Sequence, residues 1–222
     1  TLRLAREFDA HVVGLYLRHS VVFPAYVRVE PKIDEYLRRT ASEDAAAAEA
    51  MFKDVAAQAD LPNVEYRTSA ADASAAVSLH ARYSDLVVIG QRDPQAERTV
   101  DGGFVEKVLL AAGRPVLTVP YAGVFDTVGK RILVAWNASS EAARAVTDAI
   151  PLLRRADAVH IVAINPEAGA HGDVPGADIA LYLARHGVRA EVKIERGIEI
   201  DTGNMLLSRA ADLGVDLIVM GA

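Results

Sequence analysis

The side chains that most often carry catalysis or bind metals are scattered in this sequence. Its histidines stand at positions 11, 19, 80, 160, 171 and 186, and none of them form a pair at metal-ligand spacing. Cysteine is absent, which excludes disulfides and thiolate zinc sites. The nucleophile elbow, the zinc-protease helix and the Walker-type phosphate loop are missing too. We therefore predict no catalytic residues, no metal ligands and a protein that is not an enzyme.

Two short apolar segments end in glycine and match each other. Residues 85–91 (DLVVIGQ) correspond to 216–222 (DLIVMGA) at an offset of 131. A second match, at an offset of 148, joins 9–16 (DAHVVGLY) to 157–164 (DAVHIVAI). Such β-branched runs are typical of buried parallel strands. Two matches in the same order predict a duplicated domain.

The comparison of the two copies predicts the domain boundaries. The strand at 131–136 has no counterpart before Thr1, and the strand at 115–119 has none after Ala222. We expect a first domain at 1–120 that lacks its first strand, a linker at 121–129, and a second domain at 130–222 that lacks its last helix and strand. The alternative is a natural protein with two partial domains, which would leave central strands without neighbours.

Strand patterns alternate with helical patterns along both copies, which predicts a mostly parallel sheet with helices on its faces. A complete copy would have five strands. In such sheets ligands bind beyond the carboxyl ends of the strands, where the strand order reverses. We therefore expect a site at the turns after Trp136, Ile164, Gly90 and Gly221. Asn137 or Ser139 can cap the helix that follows the strand at 131–136.

Three segments together resemble the universal stress protein family: 134–141 (VAWNASSE), 216–222, and 112–119 (AGRPVLTV). The likeness extends over essentially the whole chain in two copies. It implies an α/β fold with two flavodoxin-like, Rossmann-like, doubly wound parallel five-stranded sheets in tandem. It also implies ATP binding, with magnesium, as in many members of the family.

The family binds phosphates with Gly-x2-Gly-x9-Gly-(Ser/Thr) after the fourth strand, where backbone N–H groups approach the phosphates. In the first copy Gly90 and Gly103 fill the outer glycine positions, but Asp93 and Phe104 occupy the other two. A carboxylate opposes phosphate charge, and a side chain obstructs the close approach. The resemblance therefore implies that this degenerate loop does not bind ATP in the usual way.

In the second copy the sequence includes only the first glycine of this loop, Gly221. Asn137 stands where the family has a carboxylate that holds the adenosine. A carboxylate only accepts hydrogen bonds, whereas the asparagine amide both accepts and donates them. The alternative that Asn137 is simply a helix cap, with no ligand, stays open. The nucleotide site implied for the second copy consists of Ala135, Trp136, Asn137, Ile164, Met220 and Gly221.

The segment 20–60 distinguishes the first copy, since the two offsets differ by 17 residues. Its apolar residues at helical spacing, which predict an amphipathic helix over the sheet, are Met51, Phe52, Val55 and Ala59. Acidic pairs at 34–35 and 43–44 are expected to face solvent. A further apolar group forms either a packed loop, which we favour, or a partner surface: Val21, Val22, Phe23 and Tyr26.

Composition and charge argue against nucleic acid and membranes as binding partners. The formal net charge is −6 and the cations are scattered, so no basic footprint for nucleic acid is present. No apolar run has the length of a membrane span. We expect a cytoplasmic stress-response protein that binds ligands or partners, as an internal pseudo-dimer of its halves that can also form a homodimer, with at most slow ATP turnover. The alternatives are an adenine-nucleotide hydrolase-like enzyme and a scaffold without a small ligand.

Overall fold

The described residues of this computed structural model are 1–18, 30–95, 102–166, 174–197 and 201–222. They belong to two compact units, Thr1–Ala122 and Gly123–Ala222. The helices are α1 (Leu2–Glu7), α2 (Pro31–Gln58), α3 (Ala73–Ala81), α4 (Phe104–Ala111), α5 (Ser140–Leu153), α6 (Ala177–Arg185) and α7 (Thr202–Leu213). The strands are β1 (Val12–Leu17), β2 (Val64–Ser69), β3 (Val87–Gly90), β4 (Val116–Val119), β5 (Arg131–Ala135), β6 (Ala158–Ile164), β7 (Glu191–Glu195) and β8 (Leu217–Val219).

The second unit contains a parallel sheet of four strands in the order β7-β6-β5-β8. The strand β5 is one of the two central strands, and its residues Ile132, Leu133 and Val134 have no exposed surface. A strand covered on both faces has to be apolar at consecutive positions, which explains why its sequence is a continuous run rather than an alternation.

Helices cover both faces of this sheet. Val146 of α5 and Leu183 of α6 pack on one face, in a cluster with Ile132 and Ile161. Leu206 of α7 packs on the other face, in a cluster that contains Leu133 and Val162. The predicted α/β fold with parallel strands is therefore confirmed.

The first unit departs from the single sheet that we expected. Its strands form two separate parallel pairs, β1 with β2 and β3 with β4. In the second unit β5 joins the equivalent strands, because it hydrogen-bonds to β6 on one side and β8 on the other. Within the described residues of the first unit, no strand connects β1 to β3.

The predicted helix of the segment 20–60 is present as α2, but it packs through a different stripe. Phe52 lies over Gly14 of β1, where an added Cβ would come within 2.8 Å of its ring, and Ala56 is buried. By contrast Met51 is 65% exposed and Val55 is 45% exposed. The prediction was wrong for these two residues, since the inward stripe runs one position later along the helix.

No helix of the described residues is long and apolar enough to cross a membrane. Those residues also contain no group of three or more potential metal-ligating side chains. The apolar group at 21–26 lies outside the described residues.

Candidate functional site

The strand order of the second unit reverses between β5 and β8. The chain proceeds from β5 to β6 and β7 on one side, and then returns to place β8 on the other side of β5. Val134 of β5 pairs with Val219 of β8, so the residues that follow these two strands leave the sheet side by side. A crevice at the carboxyl ends of such strands is the usual ligand site of open parallel sheets.

The residues predicted for the site in the second unit all lie along this carboxyl edge. Ala135 ends β5, and Ile164 ends β6, the adjacent strand. The Trp136 N–H donates to the Val162 carbonyl at 2.9 Å, and its half-buried ring packs against the apolar cluster of α5 and α6. Met220, directly after β8, is 57% exposed. The edge thus carries two large apolar side chains, one directly after β5 and one directly after β8.

Asn137 is not the helix cap. Its Oδ1 accepts a hydrogen bond from the Ser139 N–H at 3.1 Å, whereas Ser139 is the cap of α5, with its hydroxyl oxygen accepting from the Ala142 N–H at 3.1 Å. Ala138, between them, has a left-handed backbone with φ of 60°. The exposed Asn137 amide N–H2 has no partner among the described residues and can donate to a ligand acceptor.

The first turn of α5 already holds a negative charge. The Glu141 carboxylate accepts from its own backbone N–H and from the Ser140 hydroxyl, at 3.0 Å from the latter, and both contacts lower the pKa of Glu141. Arg144 is 3.7 Å away and adds to this shift. Because a carboxylate occupies the positive end of the helix, a phosphate group would meet repulsion there.

Gly221 has a packing role that the sequence did not reveal. A Cβ at this position would lie 2.7 Å from the Ala142 nitrogen and 2.8 Å from the Glu141 carbonyl carbon. The chain that leaves β8 therefore passes directly against the backbone of the first turn of α5. Glycine is the residue that allows so close an approach.

Asn165 is a residue of this edge that sequence reasoning missed. Its Nδ2 donates to the Gly197 carbonyl at 2.8 Å, and its Oδ1 accepts from the Gly197 N–H at 3.0 Å. The pair joins the turn after β6 to the turn after β7. Its backbone is left-handed, with φ of 46°. Asparagine is enriched in this conformation, so the residue type was the one feature of the sequence that could have indicated a special turn here.

Comparison with solved structures decides the fold. A universal stress protein from Archaeoglobus fulgidus superposes with a TM-score of 0.72 over 99% of this chain and 79% of its own, at 17% identity. The chain has the fold of universal stress proteins. A putative universal stress protein from Pseudomonas aeruginosa (TM-score 0.52, 14% identity, 95% of this chain and 81% of that one) is also similar. So is a functionally unknown protein from Pseudomonas aeruginosa (0.55, 14%, 98% and 73%). Comparison of the sequence with family profiles and with curated proteins finds no match.

The segment interpreted from the sequence as a degenerate loop follows β3 in the first unit. An added Cβ at Gly90 would have no atom within 4 Å, and Gly103 caps α4 with φ of 82°. Asp93 accepts from the Gln95 N–H at 2.9 Å, and Phe104 packs into the apolar cluster of α3 and α4. The first turn of α4 also carries Glu106. Residues 96–101 of this loop lie outside the described residues.

Proposed function

We propose that this protein is a universal stress protein that acts by binding, and that its second unit binds an adenine nucleotide in the crevice between β5 and β8. The observation that carries the proposal is the reversal of strand order, which brings residues 135–137 beside Met220 and Gly221 at the sheet edge. The universal stress protein fold supports it, since ligands of open parallel sheets bind at this reversal.

The side chains of the crevice suit the adenosine part of the ligand better than its phosphates. Trp136 and Met220 supply apolar surface for a base, and the Asn137 amide can hydrogen-bond to a ribose or a ring nitrogen. Glu141 opposes an anion at the first turn of α5. We therefore propose that the nucleoside provides most of the binding energy here, and that magnesium arrives with the phosphates of ATP.

We propose that the first unit does not bind nucleotide. Asp93 and Glu106 place negative charge at the two ends of its loop, and Phe104 directs its side chain into the apolar cluster rather than leaving open backbone. The two units then differ in function although their elements follow the same order. We propose a duplicated domain in which one copy keeps the ligand.

The proposal can be tested through Trp136, since it is the single tryptophan of the chain and lies at the crevice. Titration of the full chain with ATP and magnesium should give saturable binding heat and a saturable change in tryptophan fluorescence. Adenosine should produce the same change, and inorganic triphosphate should not. Asn137→Ala should weaken adenosine binding about tenfold, the effect of about 1.4 kcal/mol.

Asn63→Ala is the matched control, because Asn63 is exposed in the first unit and should leave the titration unchanged. Absence of saturable heat and of any fluorescence change would overturn the nucleotide proposal and favour a scaffold without a small ligand. Release of phosphate from ATP well above the buffer rate, lost in Asn137→Ala, would favour the hydrolase-like alternative.

A further inference from the structure

The turn between β5 and α5 is held by a series of hydrogen bonds. The Ser139 N–H donates to the Asn137 Oδ1 at 3.1 Å, and the Ala142 N–H donates to the Ser139 hydroxyl oxygen at 3.1 Å. The Ser140 hydroxyl donates to the Glu141 carboxylate at 3.0 Å. Asn137 and Glu141, at the two ends of this turn, are therefore oriented before any ligand binds, which reduces the entropy that binding would cost.

Asn137 presents hydrogen-bond donors to a ligand. An N–H group bonds to the oxygen of an amide and not to its nitrogen, so the Ser139 N–H determines which end of the Asn137 amide faces the turn. The other end is the NH2 group, which has no partner among the described residues of this exposed position. Asn137 therefore best complements a ligand atom that accepts, such as a ring nitrogen of a purine.

Glu141 presents the opposite chemistry beside the chain that leaves β8, since an added Cβ at Gly221 would lie 2.8 Å from the Glu141 Cβ. Its carboxylate accepts from its own N–H and from the hydroxyls of Ser140 and Ser139, which lowers the pKa of Glu141 and keeps it ionised at neutral pH. These bonds leave about one of the roughly four acceptor positions of a carboxylate. The side chain is 43% exposed, and Arg144, at 3.7 Å, is too distant for a hydrogen bond. Glu141 therefore complements a ligand group that donates.

We infer that these two residues select a ribonucleoside: Asn137 donates to a ring nitrogen of the base, and Glu141 accepts from one hydroxyl of the ribose. The inference rests on the proposed binding of a nucleotide between β5 and β8. A ring nitrogen only accepts and a ribose hydroxyl can donate, so each ligand group meets a protein group of opposite character. The exchanged arrangement would set the Glu141 carboxylate against the lone pair of a ring nitrogen, with no proton between them.

The charge of Glu141 also determines the direction of the ribose. The 5′ carbon lies on the other face of the ribose ring from the two hydroxyls, so a hydroxyl that bonds to Glu141 directs the 5′ phosphates away from the carboxylate. A carboxylate in the first turn of α5 is then compatible with a nucleotide, because the two negative charges are kept apart. A phosphate placed on a ribose hydroxyl would instead meet Glu141.

Calorimetric titration of the full chain with analogues of adenosine tests the inference. The wild type should bind one of the 2′-deoxy and 3′-deoxy analogues about tenfold more weakly than adenosine, and likewise one of the 1-deaza, 3-deaza and 7-deaza analogues. Glu141→Ala should bind adenosine and both deoxy analogues alike, but still discriminate among the deaza analogues. Asn137→Ala should show the reverse pattern. A general disturbance of the fold would not separate the two kinds of discrimination in this way.

Glu106→Ala is the matched control, because it removes an acid from the first turn of α4 in the first unit and should discriminate like the wild type. A wild type that binds adenosine and both deoxy analogues equally overturns the inference and leaves the proposed function standing. So does a wild type that binds all three deaza analogues as tightly as adenosine, or a discrimination that the matching variant retains. Absence of saturable adenosine binding overturns the proposed function, and the inference with it.

Discussion

Gly221 and Gly90 hold matching positions in the two repeated segments but have different surroundings. Gly221 lies against the first turn of α5, whereas the space around Gly90 is open. An alanine at 221 would have to displace helix backbone, which costs about 1–3 kcal/mol in tightly packed sites. We predict that Gly221→Ala lowers the free energy of unfolding by that amount, measured by urea denaturation with Trp136 fluorescence.

The same substitution at the matching site provides the control. Gly90→Ala meets no atom within 4 Å, and its backbone is not left-handed, so its effect on the free energy of unfolding should stay within about 0.5 kcal/mol. Neither glycine has a left-handed backbone, so equal effects of the two substitutions would contradict a role for Gly221 in the close approach to α5.

Asp216 shows a similar contrast with Asp85. The Asp216 carboxylate accepts backbone N–H bonds from Gly129, Lys130 and Arg131, at 2.9–3.1 Å. Partial burial alone would raise its pKa, but the hydrogen bonds from the Thr127 hydroxyl and from the Arg131 and Lys130 N–H groups outweigh it, so the pKa of Asp216 is lowered. The carboxylate therefore holds the start of β5 against the start of β8.

We predict that Asp216→Asn lowers the free energy of unfolding at pH 7 by about 1–3 kcal/mol, the contribution of hydrogen bonds to a charged group. Because the folded-state pKa lies below the unfolded value, this stabilisation is present above about pH 4 and is lost as the pH falls through the lowered pKa. The difference between wild type and variant should shrink accordingly in denaturation curves from pH 7 to pH 2.

Asp85→Asn is the matched control for this experiment, since Asp85 is exposed at the same position of the other repeated segment. It should change the free energy of unfolding by no more than about 0.5 kcal/mol at any of these pH values. A pH-independent loss in Asp216→Asn would argue against a role for the ionised carboxylate.

At the scale of elements, α2 illustrates how a helix chooses its buried face. Met51 and Phe52 are neighbours in sequence, but Phe52 lies on the aromatic group of β2 and the open surface at Gly14, while Met51 points to solvent. The bare backbone of Gly14 leaves room for an aromatic ring. Sequence spacing allowed both stripes, and the shape of the sheet surface selected one.

We predict that Phe52→Ala destabilises the first unit by about 2–4 kcal/mol, because it removes a large apolar side chain from a packed contact. Met51→Ala, at the adjacent exposed position, should have an effect within about 0.5 kcal/mol. Far-UV circular dichroism during urea denaturation measures both. Similar losses in the two variants would contradict the packing of α2 through Phe52.

The strand match between β1 and β6 also needed the structure to set its register. At an offset of 148, Val12 would correspond to His160. However, Val12 shares a face with Gly14, toward α2, whereas His160 shares a face with Val162, toward α7. Because α2 and α6 are the equivalent connections, the strand residues that face these two helices should correspond. This requires an offset that differs from 148 by an odd number of residues. Residue similarity located the strand, but alternation of faces determines which positions match.

For the whole molecule, the alternation of strands and helices was enough to predict a parallel α/β fold, because apolar periodicity is a local property of the chain. The similarity to a universal stress protein at 17% identity shows how little identity that fold needs. The separation of the first unit into two strand pairs was not among these predictions, although a missing counterpart of β5 was. It depends on which strand lies between β1 and β3, a relation between segments that are distant in sequence.

The sequence by itself determined the fold class and the strands, and with them the residues at the carboxyl ends of β5, β6 and β8 where we propose the site. Those follow from periodicity and from residue types with strong local preferences. Only the tertiary structure decided that Ser139, not Asn137, caps α5 and that Gly221 touches that helix. It also decided that the Asp216 carboxylate binds the start of β5, whereas the Asp85 carboxylate has no such contact among the described residues. The cap is a contact within three residues, for which the sequence allowed two candidates. The other two depend on contacts between segments far apart in the chain, and no local pattern records which partner a residue will meet.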